Sequence, residues 1–416
     1  MRVNALIPAR DGVLSMWKVG FFFHEMAFGL LSIFLPLYVV RSQIGSLVDI
    51  GLMTATALSL AIPAAFFWGY ICDKTRRYKR YILLSFLASS VFLYLFALTT
   101  SMILLIILYA AMSLFHVGHE APKNVLIAES YSREEWERSF AFYEGFTELG
   151  WLIGLLLGFV LSNFGFSAVS TLFVVVGLNL LAFVLSVFFV TDPVLIFERR
   201  LVGIEKTMDF AFHGISLASR LLDGFPSAGK LRRESVSVFC LGLVLFSLAT
   251  SILFTPMPIF VSGITSNSAL PGSIVFLIFV LNSGGGVAGY VFARRKSNDD
   301  GERASLGRIV VFRSLLSLLL IAVAALPMIM YNVALATVIL VLFGFANALF
   351  LVYTLSLSME LIPAGKAGLF NVLAGVGAAA GSFIGPFVAQ TFSFVHVFVA
   401  AAAVFFLAFL AFKTYA

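Results

Sequence analysis

Gly69-Tyr70-Ile71-Cys72-Asp73-Lys74-Thr75-Arg76-Arg77-Tyr78-Lys79-Arg80 stands between two long apolar runs, and five of its twelve residues are Lys or Arg. Outward from it lie further basic clusters at Arg133–Arg138, Arg199–Arg233 and Arg294–Arg308, with Lys366 beyond. Each is separated from the next by two apolar runs of about 20 residues, the length that crosses a bilayer as a helix. The alternate connections, near Thr99, Asn163, Ser266, Asn332 and Thr391, hold no Lys or Arg, and Arg41 is the one positive residue in that second set. Positive residues are retained on the cytoplasmic side, so the alternation predicts twelve spans in a multi-pass protein of the cell membrane, both termini cytoplasmic.

Composition agrees. Hydrophobic residues make up 61% of the chain and charged residues only 12%, against about a quarter charged in soluble domains. Backbone in lipid must satisfy its own hydrogen bonds, so continuous apolar runs form helices. The net charge of +6 belongs to the cytoplasmic loops and suits an anionic inner leaflet. Because the basic residues are spread over many loops, a nucleic-acid partner is excluded. Cys72 and Cys240 sit at cytoplasmic helix ends, one in each half, and no disulfide is expected. The first apolar run is too long for a cleavable signal and reads as an uncleaved span.

The runs place spans near 15–40, 47–71, 80–99, 102–127, 139–162 and 168–191, then 236–262, 271–293, 308–330, 333–359, 366–390 and 393–413. The fold class is thus all-α: an integral membrane protein of twelve transmembrane helices in two pseudo-symmetric six-helix bundles, 1–191 and 236–416. A cytoplasmic linker, 192–235, joins them. Ile204, Met208, Ala211, Ile215, Ala218 and Leu222 recur there at helical spacing, as in an amphipathic helix on the membrane surface. The halves echo each other. Gly289-Tyr-Val-Phe-Ala293-Arg294-Arg295 answers Gly69 to Arg77, and Met359-Glu360 answers Ala128-Glu129. Gly150, Gly154 and Gly158 are matched by Gly377, Gly381, Gly385 and Pro386. Parallel six-helix repeats are a transporter architecture with the substrate site between the halves.

Gly69, Asp73, Lys74 and Arg77 fit the signature loop of the major facilitator superfamily, Gly-x-x-x-Asp-(Arg/Lys)-x-Gly-(Arg/Lys)-(Arg/Lys); Arg76 stands where a glycine is usual. With the six-plus-six division, the resemblance covers the whole chain. It implies a conformational latch in which Asp73 faces the start of the eleventh span near Ala367–Asn371 and Arg77 pairs with Glu129. Ala293 in the aspartate position leaves the second half without an equal latch. The glycines four apart are expected to pack helices closely. Leu155 occupies the position of the proline found in proton antiporters of this superfamily. Phe34-Leu35-Pro36-Leu37-Tyr38 is similar to the first helix of its drug and organic-solute carriers.

Charge inside a bilayer is expensive and usually functional. Here it gathers in three helices of the first half, as His24 and Glu25, His116, His119, Glu120 and Lys123, and Glu144 and Glu148. His116, Glu120 and Lys123 share one helical face, as do Glu144, Glu148 and Trp151. The matching depths of the second half offer amides and hydroxyls, Asn282, Asn347, Tyr353 and Gln390. Proton coupling is the first reading, because a carboxyl group withdrawn from water can bind and release a proton near neutral pH. The second is a bound or transported divalent metal, for which His and Glu are ligands. The third is internal pairing, with Glu120 and Lys123 one turn apart. His116-Val-Gly-His119-Glu120 lacks the order of a zinc-protease motif and no phosphate-binding loop occurs, so no enzyme, cofactor or resident metal is expected. The expectation is a monomeric secondary transporter of a small organic solute, coupled to protons and exporting amphipathic or drug-like compounds. A divalent-metal transporter and a non-transporting sensor or receptor are the alternatives.

Overall fold

A computed structural model describes residues 16–41, 45–130, 136–192, 235–266, 271–295, 302–325, 329–361 and 368–415. The surface helix expected in 192–235 lies outside these residues. In the first half the helices are α1 Lys18–Arg41, α2 Leu47–Thr75, α3 Tyr78–Leu98, α4 Met102–His116, α5 Glu120–Ser130, α6 Trp136–Asn163 and α7 Ala168–Phe189. In the second they are α8 Ser235–Phe254, α9 Met257–Ile264, α10 Pro271–Arg295, α11 Glu302–Ala325, α12 Ile329–Leu361, α13 Gly368–Thr391 and α14 Phe394–Tyr415. Together they supply twelve spans long and apolar enough to cross a membrane, and the described residues form no strand.

Two expected spans are broken, and proline explains both. The fourth passes through a 3-10 turn at Val117–His119 between α4 and α5. Pro122 has no N–H to return to the carbonyl of Gly118, so the regular ladder fails there. Gly118 also sits against the ring of Trp68, which a Cβ would meet at 3.3 Å. The seventh span ends at Phe254 and restarts at Met257, with Pro256 at the cap and Pro258 in the first turn.

Packing repeats between the halves. Within the first, α1 packs on α6 and α7, α3 on α4 and α7, and α2 on α4. Within the second, α8 packs on α13 and α14, α11 on α12 and α14, and α10 on α12. These sets correspond helix for helix. The halves meet where α2 lies along α13 and α6 along α10.

Glycines permit the closest approaches. A Cβ on Gly150 or Gly154 would strike the backbone of α1 at Phe22 and Met26, and Gly377, Gly381 and Gly385 stand likewise against α8 at Val244, Leu248 and Ile252. Gly158 differs from its two partners. It faces the ring of Phe276 in the other half. Gly69 has open space beside it, so close packing does not explain the signature glycine in this conformation. Arg76 does explain the second one. It caps α2 in the left-handed region, φ 56°, where a side chain costs about 1–2 kcal/mol and glycine nothing.

Cross-half contacts crowd toward the end of the bundle that holds Asn163 and Thr391. The Val48 amide donates to Gln390 Oε1 at 2.8 Å, Gly51 lies against Ser382, Phe383 and Pro386, and the Arg41 guanidinium donates to Ser262 Oγ. Arg41, the exception to the charge alternation, is a tie between the halves.

Candidate functional site

His24 lies in the middle of α1 and is fully buried. Its Nδ1 is 2.7 Å from Asn179 Oδ1, and Asn179 Nδ2 donates to the Val175 carbonyl at 3.1 Å, which settles the orientation of the amide. Nδ1 therefore carries hydrogen. His24 Nε2 is 3.0 Å from His116 Nδ1, so in the neutral pair His116 donates and His24 accepts. Phe86 stacks on His24 with ring centroids 4.3 Å apart, and Phe28 covers His116 at 4.1 Å. Asn179, which the sequence reading passed over, thereby sets the tautomers of two histidines.

The 3-10 turn delivers His119 to a different environment. Its Nδ1 lies 2.6 Å from the carbonyl oxygen of His116 and 3.2 Å from Ser85 Oγ. A carbonyl only accepts, so Nδ1 carries hydrogen here also. Nε2 then points at Glu120 Oε1, 3.3 Å away. The two close a hydrogen bond when a proton is present on either the imidazole or the carboxyl. Lys123 Nζ holds the other oxygen of Glu120 at 2.6 Å. The ion pair of the structural reading is present, and the same carboxylate also meets His119.

Glu120 keeps 46% of its side-chain surface accessible, and that surface opens into a polar cavity of about 250 Å³ lined also by Glu25, His116, Lys123, Tyr143, Thr147, Glu148 and Trp151. Glu25, Glu120 and Glu148, from three separate helices, thus share one chamber. Glu144 and Glu129 sit on α6 and α5, but their side chains lie outside the described residues, as do those around the start of α13 that Asp73 was expected to face.

Glu148 and Trp151 also line a second cavity, about 440 Å³, walled by both halves, within the range of small-molecule sites. Pro36, Tyr109 and Leu155 face Phe254, Asn282 and Asn347 across it. The two cavities meet at Glu148.

Nitrogens of His24, His116 and His119 lie within 4.8 Å of one another. Zinc with Zn–N bonds near 2.0–2.1 Å would draw its nitrogens to about 3.4 Å apart. Moreover, His24 uses both ring nitrogens in hydrogen bonds, and the Nδ1 atoms of His116 and His119 are engaged. In this conformation the three imidazoles are held by hydrogen bonds, some of which a metal bound to all three would have to displace.

The second half departs from expectation. It was read as offering only amides and hydroxyls at these depths, yet Arg313, in α11, is completely buried. Its Nη1 donates to Asn347 Oδ1 at 2.6 Å. The sequence signal was plain, an Arg within the apolar run 308–330, but the neighbouring cluster ending at Arg308 masked it.

Residues 19–374 match the family described as Major Facilitator Superfamily. No curated protein matches the chain by sequence. Among solved structures the chain is similar to the nucleoside transporter NupG, with TM-score 0.74 and 12% identity over 97% of this chain and 99% of that one. It is also similar to a bacterial homolog of the human lysosomal transporter Spinster, inward-facing and occupied, with TM-score 0.65 and 13% identity over 99% and 97%. The human organic anion transporter MFSD10 (TETRAN) gives TM-score 0.63 and 17% identity over 98% and 100%. At these identities the likeness is one of fold.

Proposed function

Because the chain belongs to the major facilitator superfamily, we propose that it is a proton-coupled secondary transporter of a small amphipathic organic solute. The observation that carries this reading is the contact of His119 with Glu120 beside a chamber that joins the central cavity at Glu148. A site that binds a proton and a site that can bind a solute are adjacent, and alternating access couples them when occupancy of one biases the state of the other. Apolar Ile33, Leu155 and Phe279 share the cavity lining with Ser251, Asn282 and Asn347, which suits an amphipathic solute.

We place the basic end of the bundle in the cytoplasm. The closed Asn163/Thr391 end is then the outer face and this conformation opens inward. Residues 1–191 and 236–416 rock about the cavity, joined by 192–235, and both cavities are built by one chain, so a monomer suffices. The Gly69–Arg77 loop, with Asp73 toward the start of α13 and Arg77 toward Glu129, latches the cytoplasmic ends in the opposite state. Asp73→Asn is expected to raise thiol labelling of single cysteines placed on the cytoplasmic side of the cavity and to lower it on the outer side, severalfold each. Unchanged labelling at both faces would remove the latch.

The binding half of the proposal is tested by thermal unfolding of the purified protein against a panel of amphipathic solutes and divalent metals at two pH values. A ligand of the folded state at 100 times its Kd stabilises it by about 2.7 kcal/mol. We expect solutes to stabilise and the effect to change with pH. Stabilisation by zinc alone, lost in His116→Ala, would favour the metal reading, and solute binding without any flux would favour a sensor.

A further inference from the structure

Arg313 poses a problem of charge. Its guanidinium stays protonated in proteins, it is fully buried, and among the described residues no carboxylate pairs with it. Four phenyl rings surround it instead, with centroids 4.6 Å (Phe246), 4.9 Å (Phe405), 5.3 Å (Phe343) and 6.0 Å (Phe254) from the guanidinium carbon. Cation–π contacts offset part of the burial, but Nε and Nη2 remain without a hydrogen-bond partner. Buried donors without partners are rare and call for a reason.

Two neighbours supply it. Asn347 gives its oxygen to Arg313, which fixes the amide so that Nδ2 is left for the cavity that Asn347 lines. Thr250 lies on α8 midway between Phe246 and Phe254, four residues from each and so on the same face, and it lines that cavity too. Its buried hydroxyl also has no partner. Asn347 Nδ2 and the Thr250 hydroxyl thus stand at one wall of the central cavity, with the unpartnered cation of Arg313 behind Asn347 and no anion among them. A group that accepts from Asn347 and Thr250 and carries negative charge answers the buried charge behind them.

We propose that Arg313, Asn347 and Thr250 form a carboxylate subsite in the second half, and that the solute is an amphipathic organic acid. This rests on the reading of the central cavity as the solute site. Glu148 on the facing wall requires the rest of the solute to be apolar or to offer donors, so a second carboxylate is disfavoured.

The test is thermal unfolding of the full chain in nanodiscs with 4-phenylbutyrate, octanoate and L-phenylalanine, each titrated beside its primary amide. At least one acid is expected to bind about tenfold or more tightly than its amide, as the unpaired charge of Arg313 behind Asn347 requires. Arg313→Met should abolish that preference without lowering the unfolding temperature of the free protein, because an apolar replacement for a buried charge is commonly neutral or stabilising. Thr250→Val and Asn347→Leu should each weaken it severalfold, and they carry the test if Arg313→Met does not fold. No binding by any acid, equal binding of acid and amide, or a preference that survives all three substitutions would overturn the subsite. Equal binding alongside solute-driven proton flux would leave the transport reading standing, whereas selective acid binding without proton flux would overturn that reading and leave the subsite.

Discussion

Glu120→Gln is expected to abolish proton-driven solute accumulation in proteoliposomes while leaving solute exchange within about threefold of the unmodified protein. The amide can preserve both contacts of the carboxylate, with its oxygen accepting from Lys123 and its nitrogen donating to His119 Nε2, at the 2.6 and 3.3 Å now observed. What it removes is a carboxyl group that can bind and release a proton. Losing the charge beside Lys123 should cost on the order of 1–3 kcal/mol of stability, toward the low end because the cavity leaves Glu120 partly accessible. Exchange needs the two conformations and a bound solute, not a titrating group. Accumulation and exchange falling together in well-folded protein would show Glu120 to be structural.

Gly381→Val is expected to eliminate folded protein. A Cβ there would press on the Leu248 carbonyl and come within 2.9 Å of Ser251 Cβ and 3.0 Å of the Ile252 amide. These are mostly backbone atoms, which cannot turn aside as the tip of a flexible side chain can. Gly377 and Gly385, one turn to either side, hold α13 equally close to α8, so relief at one point would disturb the whole seam. Overpacking of a tight interface costs about 1–3 kcal/mol and often more, and α8 also carries Thr250 and Phe254 at the cavity. Gly177 is the control, with open space around it in α7; Gly177→Ala should be neutral or stabilise by up to about 1 kcal/mol. Fluorescence-detected size exclusion of both variants checks this, and a monodisperse peak of normal height for Gly381→Val would contradict it.

The twelve spans were legible because lipid enforces two rules a sequence cannot hide, continuous apolar length and the placement of Lys and Arg. The breaks were written just as openly, in Gly118 with Pro122 and in Pro256 with Pro258, yet hydropathy averages over them. The break at Val117–His119 matters most, since His119 lies in it and stands against Ser85. For the site, residue type was readable and partnership was not. Nothing local to His24 points to Asn179, 155 residues away, and nothing near Arg313 announces Phe246 or Asn347. Long-range packing decides which buried polar groups meet, and it is carried by helix faces that are apolar nearly all round.

The central claim is that solute movement and proton movement are one event. Internal pH should therefore be recorded in proteoliposomes holding the purified protein when a stabilising solute is added outside with no imposed gradient. We expect the internal pH to change at once, in proportion to solute flux, and to stay flat with Glu120→Gln. Solute movement with a flat pH trace in the unmodified protein would contradict the account.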